Sequence, residues 1–161
     1  MTDFRALLQA LGDGGVEFIL IGGVAATVHG SARLTQDVDV VYGRSAANLD
    51  RLVAALAPHH PYLRDAPRGL PFQFDRETVA RGLNFTLVTD IGDIDLFGEV
   101  AGGGAYNDLV RDSLEIEVFG TRCRCVGLDR LVALKRAAGR PKDLEAIAEL
   151  EAIREERDRT R

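Results

Sequence analysis

Two aspartates one residue apart, Asp37 and Asp39, stand in an otherwise apolar stretch, Asp37-Val38-Asp39-Val40-Val41-Tyr42. Its β-branched and aromatic residues read as a strand. On a strand, residues two apart point to one face, so the carboxylates project side by side, roughly 6–7 Å apart along the chain. Val38 and Val40 point the other way, into packing. Neighbouring carboxylates repel and are costly to desolvate. A solvated edge strand is the bland account of such a pair. A divalent cation is the chemical one, and hard oxygen ligands on one face suit Mg²⁺, with Mn²⁺ as its substitute.

The stretch just before supplies the other half of a site. Phe18 to Ile21 is a four-residue apolar run ended by Gly22 and Gly23, which reads as a buried strand and a tight turn. VAATVH (24–29) fits a short helix, and Gly30 stops it. A helix start after a strand presents N–H groups and a positive dipole end to an anion. Glycines there let a phosphate approach the main chain. Gly22-Gly23 alone is equally an ordinary strand-to-helix turn. Followed at 14 residues by paired carboxylates, it reads as a metal-dependent nucleotide site.

This wording, Ile21-Gly22-Gly23 and then Thr35-Gln36-Asp37-Val38-Asp39, resembles the nucleotidyltransferase superfamily with the polymerase-β-like fold. Within it the sequence is most similar to the AbiEii/AbiGii toxin-type branch. The resemblance implies Asp37 and Asp39 as metal ligands, and Gly22 and Gly23 as the nucleotide-binding turn on the triphosphate side. It also implies a third carboxylate from a later strand, and two Mg²⁺ ions serving transfer of an NMP from an NTP.

Residues 83–89 (LNFTLVT) and 94–100 (IDLFGEV) read as an antiparallel hairpin turning at Asp90 to Asp93. Asp95 lies mid-strand between Ile94 and Leu96, where a carboxylate has no packing reason to be. It matches the family's third ligand by context. Asp93 shares its face and is the competitor, although a turn aspartate has a purely structural use.

A second constellation lies near the C-terminus. Leu128, Leu131, Val132 and Lys135 fall at helical spacing, so Lys135 ends an apolar stripe. Snorkelling from the stripe's end explains it. Yet only two of the 20 basic residues are lysines, Lys135 and Lys142, and both fall here. A compact point charge at an inward position suits a phosphate. Gly139 stops that helix, and Pro141 opens another whose first turn carries Asp143. Helix-dipole stabilisation would by itself explain Asp143. The resemblance adds that AbiEii-like chains carry a Leu-Lys helix followed by Arg-x-Lys-Asp lining the nucleotide site. Lys135 and Arg140-Pro141-Lys142-Asp143 match as they stand, so Lys135 and Asp143 join Asp37, Asp39 and Asp95 as expected catalytic residues.

The elements that must hold these groups are partly legible. A first helix from Thr2 or Asp3 to Leu11 carries Phe4, Leu7, Leu8 and Leu11 on one stripe. Ser45 caps a helix that Pro58 ends. Residues 58–71 hold four of the five prolines and His59-His60, which marks a loop with a short strand at Tyr62-Leu63. Residues 105–113 fit a short helix, and two strands follow at 114–120 and 122–127. Cys123-Arg124-Cys125 puts two thiols on one face with no further cysteine to complete a zinc site, so the pair reads as structural.

At 161 residues, 46% apolar and 28% charged, the chain is expected to form one domain over 1–161 with a frayed tail from about 155. A net charge of −5 speaks against a generally basic nucleic-acid surface. No apolar run approaches a membrane span, and the N-terminus lacks a basic, then apolar, leader, so a cytoplasmic protein without membrane contact is expected.

The expected fold class is α/β, of the α+β kind: a nucleotidyltransferase-like mixed, mostly antiparallel sheet flanked by helices. The expected partners are an NTP and an acceptor hydroxyl on RNA (such as tRNA) or protein, in a toxin–antitoxin or phage-defence setting. The rival is a non-catalytic nucleotide-binding or antitoxin-type module that acts on a partner. A third reading, an antibiotic-modifying enzyme, is set aside because such enzymes are expected to need a helical acceptor domain.

Overall fold

The computed structural model describes residues 1–160. Four uncharged residues form the central strand β1 (Phe18–Ile21), and all four are buried. An apolar run with no polar alternation is what a strand covered on both faces requires. Antiparallel to it lies β2 (Asp37–Tyr42), with Ile21 opposite Asp39. Val38 and Val40 are fully buried, whereas Asp37 and Asp39 are only partly covered, as the alternation predicts.

Two hairpins complete the sheet. One is β4 (Asn84–Thr89) with β5 (Gly92–Phe97), the other β6 (Ser113–Val118) with β7 (Thr121–Val126). The short β3 (Tyr62–Leu63) pairs antiparallel with β4. The order is β3-β4-β5-β2-β1-β7-β6. Among the described residues only β2–β5 and β1–β7 pair in parallel, so the sheet is mixed and mostly antiparallel.

Among the described residues, seven α-helices flank it: α1 (Phe4–Asp13), α2 (Gly22–Val28), α3 (Ala46–Leu56), α4 (Arg76–Arg81), α5 (Tyr106–Leu109), α6 (Leu128–Ala138) and α7 (Pro141–Arg159). Asp3 caps α1, its carboxylate accepting from the Ala6 N–H at 2.9 Å, and Leu7, Leu8 and Leu11 are fully buried. Ser45 caps α3 as expected. The helix α4 was not anticipated, although Asp75 caps it by accepting from the Thr78 N–H at 2.8 Å. The last helix, α7, runs to Arg159. No described helix is long and apolar enough to cross a membrane.

Buried polar groups fix how the two central strands meet. Asn48 on α3 is fully buried and donates to the carbonyls of Glu17 (3.0 Å) and Gly43 (2.7 Å). Its side-chain oxygen accepts from the Glu17 N–H at 2.7 Å. One amide thus ties the start of β1 to the end of β2.

Candidate active site

The parallel register of β2 and β5 places Asp37 opposite Asp93 and Asp39 opposite Asp95. Directly opposed residues share a face, so four carboxyl groups gather on one side of the sheet. Asp37, Asp39 and Asp95 each bring an oxygen into a group whose members lie within 4.8 Å of one another. Asp93 stays outside that group, its Oδ2 lying 3.4 Å from the Nε of Arg64.

Burial pushes the Asp39 carboxyl up to about 8, and the charges of Asp37 and Asp95 act in the same direction. Without a cation its protonated form is thereby favoured. Burial also raises Asp95, against the pull of the Arg64 guanidinium. Asp39 Oδ1 is buried with no hydrogen-bond partner. An orphaned carboxylate oxygen costs free energy unless something supplies positive charge. Three convergent carboxylates, two of them (Asp39 and Asp95) with a buried oxygen that lacks a hydrogen-bond partner, fit a divalent cation such as Mg²⁺.

Gly22 and Gly23 begin α2 directly rather than forming a separate turn before it. Gly22 has φ +65°, and a Cβ there would run into the Asp39 carboxylate. A Cβ on Gly23 would collide with the Thr35 side chain. The room these glycines leave is thus taken by the site's own side chains, which gives them a steric role in seating Asp39.

The C-terminal helices supply the positive side. Lys135 Nζ lies 3.6 Å from Asp143 Oδ1, with the lysine side chain only 19% exposed. It faces the acidic group instead of snorkelling outward, and its charge acts on Asp39. Asp143 is 1% exposed. It accepts from the Arg140 backbone N–H (3.2 Å) and from Arg140 Nε (2.7 Å). Burial alone would raise its pKa, but the Arg140 bonds outweigh burial and hold the carboxyl below its ordinary value. Asp143 therefore anchors Lys135 and Arg140 while opening α7. A cavity of about 290 Å³ joins these parts, lined by Asp37, Asp39, Asp95, Lys135, Asp143 and the basic residues Arg33, Arg140 and Lys142.

Arg64 is the site residue that sequence reasoning missed. It follows β3 at the sheet's edge, in the proline-rich segment, and its guanidinium reaches Asp95, Asp37 and Asp93. No local pattern announces it.

The other singled-out residues stay apart from this group. Cys123 and Cys125 are free and buried. Burial pushes their thiols to about 11 and about 12, so neither is a nucleophile at neutral pH. His60 is exposed and paired with Asp90.

No known protein-family model matches the sequence. A histidine–tRNA ligase from Jannaschia sp. (strain CCS1) is 32% identical over 132 residues, 78% of this chain and 25% of that protein. The chain thus spans about a quarter of that relative's length. Among solved structures, the lincosamide antibiotic adenylyltransferase LnuA with lincomycin bound matches with a TM-score of 0.60 at 14% identity, over 94% of this chain and 98% of that one. A putative nucleotidyltransferase from Thermotoga maritima matches with a TM-score of 0.52 at 12% identity, over 96% and 90%. A nucleotidyltransferase-like antigenic protein from Paracoccidioides brasiliensis gives 0.51 at 15% identity, over 91% and 72%. The chain has the nucleotidyltransferase fold and carries an acidic triad in it. The LnuA match also corrects the expectation that a small-molecule enzyme of this kind needs an additional helical domain. Nearly all of that lincomycin-bound chain lies within the superposed fold.

Proposed function

We propose that this chain is a Mg²⁺-dependent nucleotidyltransferase that moves an NMP from an NTP to an acceptor hydroxyl, releasing pyrophosphate. The observation that supports this above others is the convergence of Asp37, Asp39 and Asp95 around a buried, unpartnered Asp39 oxygen. These three would hold the metal, whose contribution when bound is to neutralise phosphate charge and lower the pKa of a hydroxyl.

The chain's own residues do the rest. Lys135 offsets charge on the phosphates, and Asp143 holds it and Arg140 toward the cavity. Arg33 and Lys142 extend the positive lining. Gly22 and Gly23, the triphosphate-side turn by resemblance, also leave the space in which Asp39 sits.

The AbiEii/AbiGii-like wording of residues 18–42 and 128–147 supports an RNA or protein acceptor in a toxin–antitoxin or phage-defence setting in the cytoplasm. The segment shared with a histidine–tRNA ligase makes tRNA the first macromolecule to test. A small-molecule acceptor is the second reading, favoured by the full-length match to a lincomycin-bound adenylyltransferase. Incubation with each labelled NTP and Mg²⁺ against total tRNA, protein extract and hydroxyl-bearing antibiotics decides among them. Label transferred by the parent and not by an Asp95→Ala variant is the expected result. Nucleotide binding with no transfer to any acceptor would return the chain to the non-catalytic, partner-binding reading.

A further inference from the structure

Three carboxyl groups meet one guanidinium on the acidic face. Arg64 Nη2 lies 2.9 Å from Asp95 Oδ1, Nη1 lies 3.5 Å from Asp37 Oδ2, and Nε lies 3.4 Å from Asp93 Oδ2. Its side chain is 20% exposed, so these charges interact with little water between them.

The way Arg64 is held differs from a built ion pair. A structural arginine–carboxylate pair is bidentate, with N···O of about 2.7–2.9 Å. Here one guanidinium is spread over three carboxylates, and two of its three approaches are long. Its Nε and the Asp95 Oδ1 it faces are both buried without a well-aligned hydrogen bond. The short bond it does make is to the Leu87 carbonyl, at 2.7 Å. Arg64 thus acts on the aspartates as a charge more than as a fixed partner.

Its anchorage permits departure. The Arg64 backbone N–H donates to the Thr86 carbonyl at 2.9 Å, just beyond the two-residue β3. From there the side chain crosses β4 to reach β5 and β2. Withdrawing the guanidinium breaks its short bond to a β4 carbonyl and its contacts with the aspartates, the one to Asp37 Oδ2 a long hydrogen bond, and leaves the strand pairing untouched. Asp37 and Asp95, which it contacts, are also two members of the triad.

We propose that Arg64 is a resident counter-cation of the acidic face, displaced as a divalent ion enters, and that it thereby sets the affinity of metal loading. This rests on the metal-site reading above. Arg64 is a positioning residue: it keeps Asp37 and Asp95 gathered in the metal-free protein and competes for the same charge when the ion arrives. A cation that must displace it binds more weakly than to the bare triad, and metal loading is coupled to the edge segment that follows β3.

Mn²⁺ binding to the whole, EDTA-stripped chain tests this, read as free Mn²⁺ by electron paramagnetic resonance. Arg64→Gln removes the charge and keeps a donor for the Leu87 carbonyl. It should bind Mn²⁺ about ten- to a hundredfold more tightly than the parent, the range for losing one charge-assisted contact. Its metal-free melting temperature should fall, and Mn²⁺ should raise it by more than in the parent. Arg64→Lys should lie between the two. Tight Mn²⁺ binding by the Gln variant beside a silent parent would also support the competition. Equal or weaker binding by the Gln variant would overturn it. If that variant does not fold, the parent's Arg64 Nε–H resonance, assigned with Arg64→Lys, takes its place. It should move during a Mg²⁺ titration and saturate with the metal, and a resonance that stays put would overturn the proposal. Absence of Mn²⁺ binding in parent and variants alike would instead remove the metal-site reading itself, and the competition with it.

Discussion

The inner strands of the two hairpins, β5 and β7, occupy equivalent places in the sheet. Each runs parallel to a central strand and carries its own antiparallel partner on the outside. Each also carries two like polar residues at i and i+2, Asp93 and Asp95 in one, Cys123 and Cys125 in the other. Their fates are opposite. On β5 the alternating Ile94 and Leu96 are fully buried and the aspartates face the cleft. On β7 the cysteines are buried, and the alternating Arg122 and Arg124 are more exposed. A thiol enters a core as a small hydrophobe, whereas a carboxylate needs a compensating charge. Polar pairs at strand spacing therefore mark chemistry only where the residue type cannot be absorbed by packing.

That contrast would break most decisively at β2, the partner of β5. Asp39→Asn should abolish metal-dependent NTP binding in calorimetry, with the circular-dichroism spectrum unchanged. Its metal-free melting temperature should rise, because the amide is neutral without the proton that burial favours on the Asp39 carboxyl. Binding of Mg²⁺–NTP as tight as the parent's would mean that the acidic face is no more functional than the thiols.

Within β5 the two aspartates can be separated. Asp95→Ala should reduce nucleotidyl transfer to background, whereas Asp93→Ala should leave most of it, since Asp93 lies outside the close triad. The reverse result would make Asp93 the third ligand.

Lys135→Met keeps the apolar stem and removes the charge. It should cost about 1.5–3 kcal/mol of nucleotide binding, about ten- to a hundredfold in affinity, with the melting temperature little changed. Unchanged affinity would leave the positive side of the cavity without a role in nucleotide binding.

The two pairs should also titrate in separate windows. Asp39 is raised from 3.8 to about 8, so the folded state holds a proton that the unfolded state has released. Its contribution to metal-free stability is fully present below pH 3.8 and is lost as pH rises through about 8. Asp39→Asn should remove that slope from a series of denaturant melts. The thiols, raised from 9.0 to about 11 and about 12, should give a corresponding loss only above pH 9. The smallest effect is expected from Cys125→Ala: about 1 kcal/mol of stability from a small cavity, with transfer activity unchanged.

The acidic face was legible because its signal is local. Asp37 and Asp39 sit in a strand whose alternation shows in six residues, and Asp95 stands out between two aliphatic neighbours. The parallel pairing that brings them together was not legible from alternation, since it joins strands more than 50 residues apart. Arg64 escaped for the same reason in stronger form. It lies in a segment without periodicity, and its partners belong to two strands beyond its own neighbour. Asp143 was noticed as a first-turn acid, yet its near-complete burial depends on where α6 and α7 pack. The short helix α4 carries one buried residue, Val79, too little for an amphipathic stripe.

Gly22 makes the molecule vulnerable in a place that charge and hydropathy would overlook. A methyl group added there changes no charge, opens no cavity and removes no ligand, yet it would occupy the space in which the Asp39 carboxylate rests. A Gly22→Ala allele would therefore pass as a conservative change in a sequence survey while disarming the acidic face. Among variants of this fold, the residue before the second glycine is accordingly as telling a marker of an intact site as the aspartates themselves.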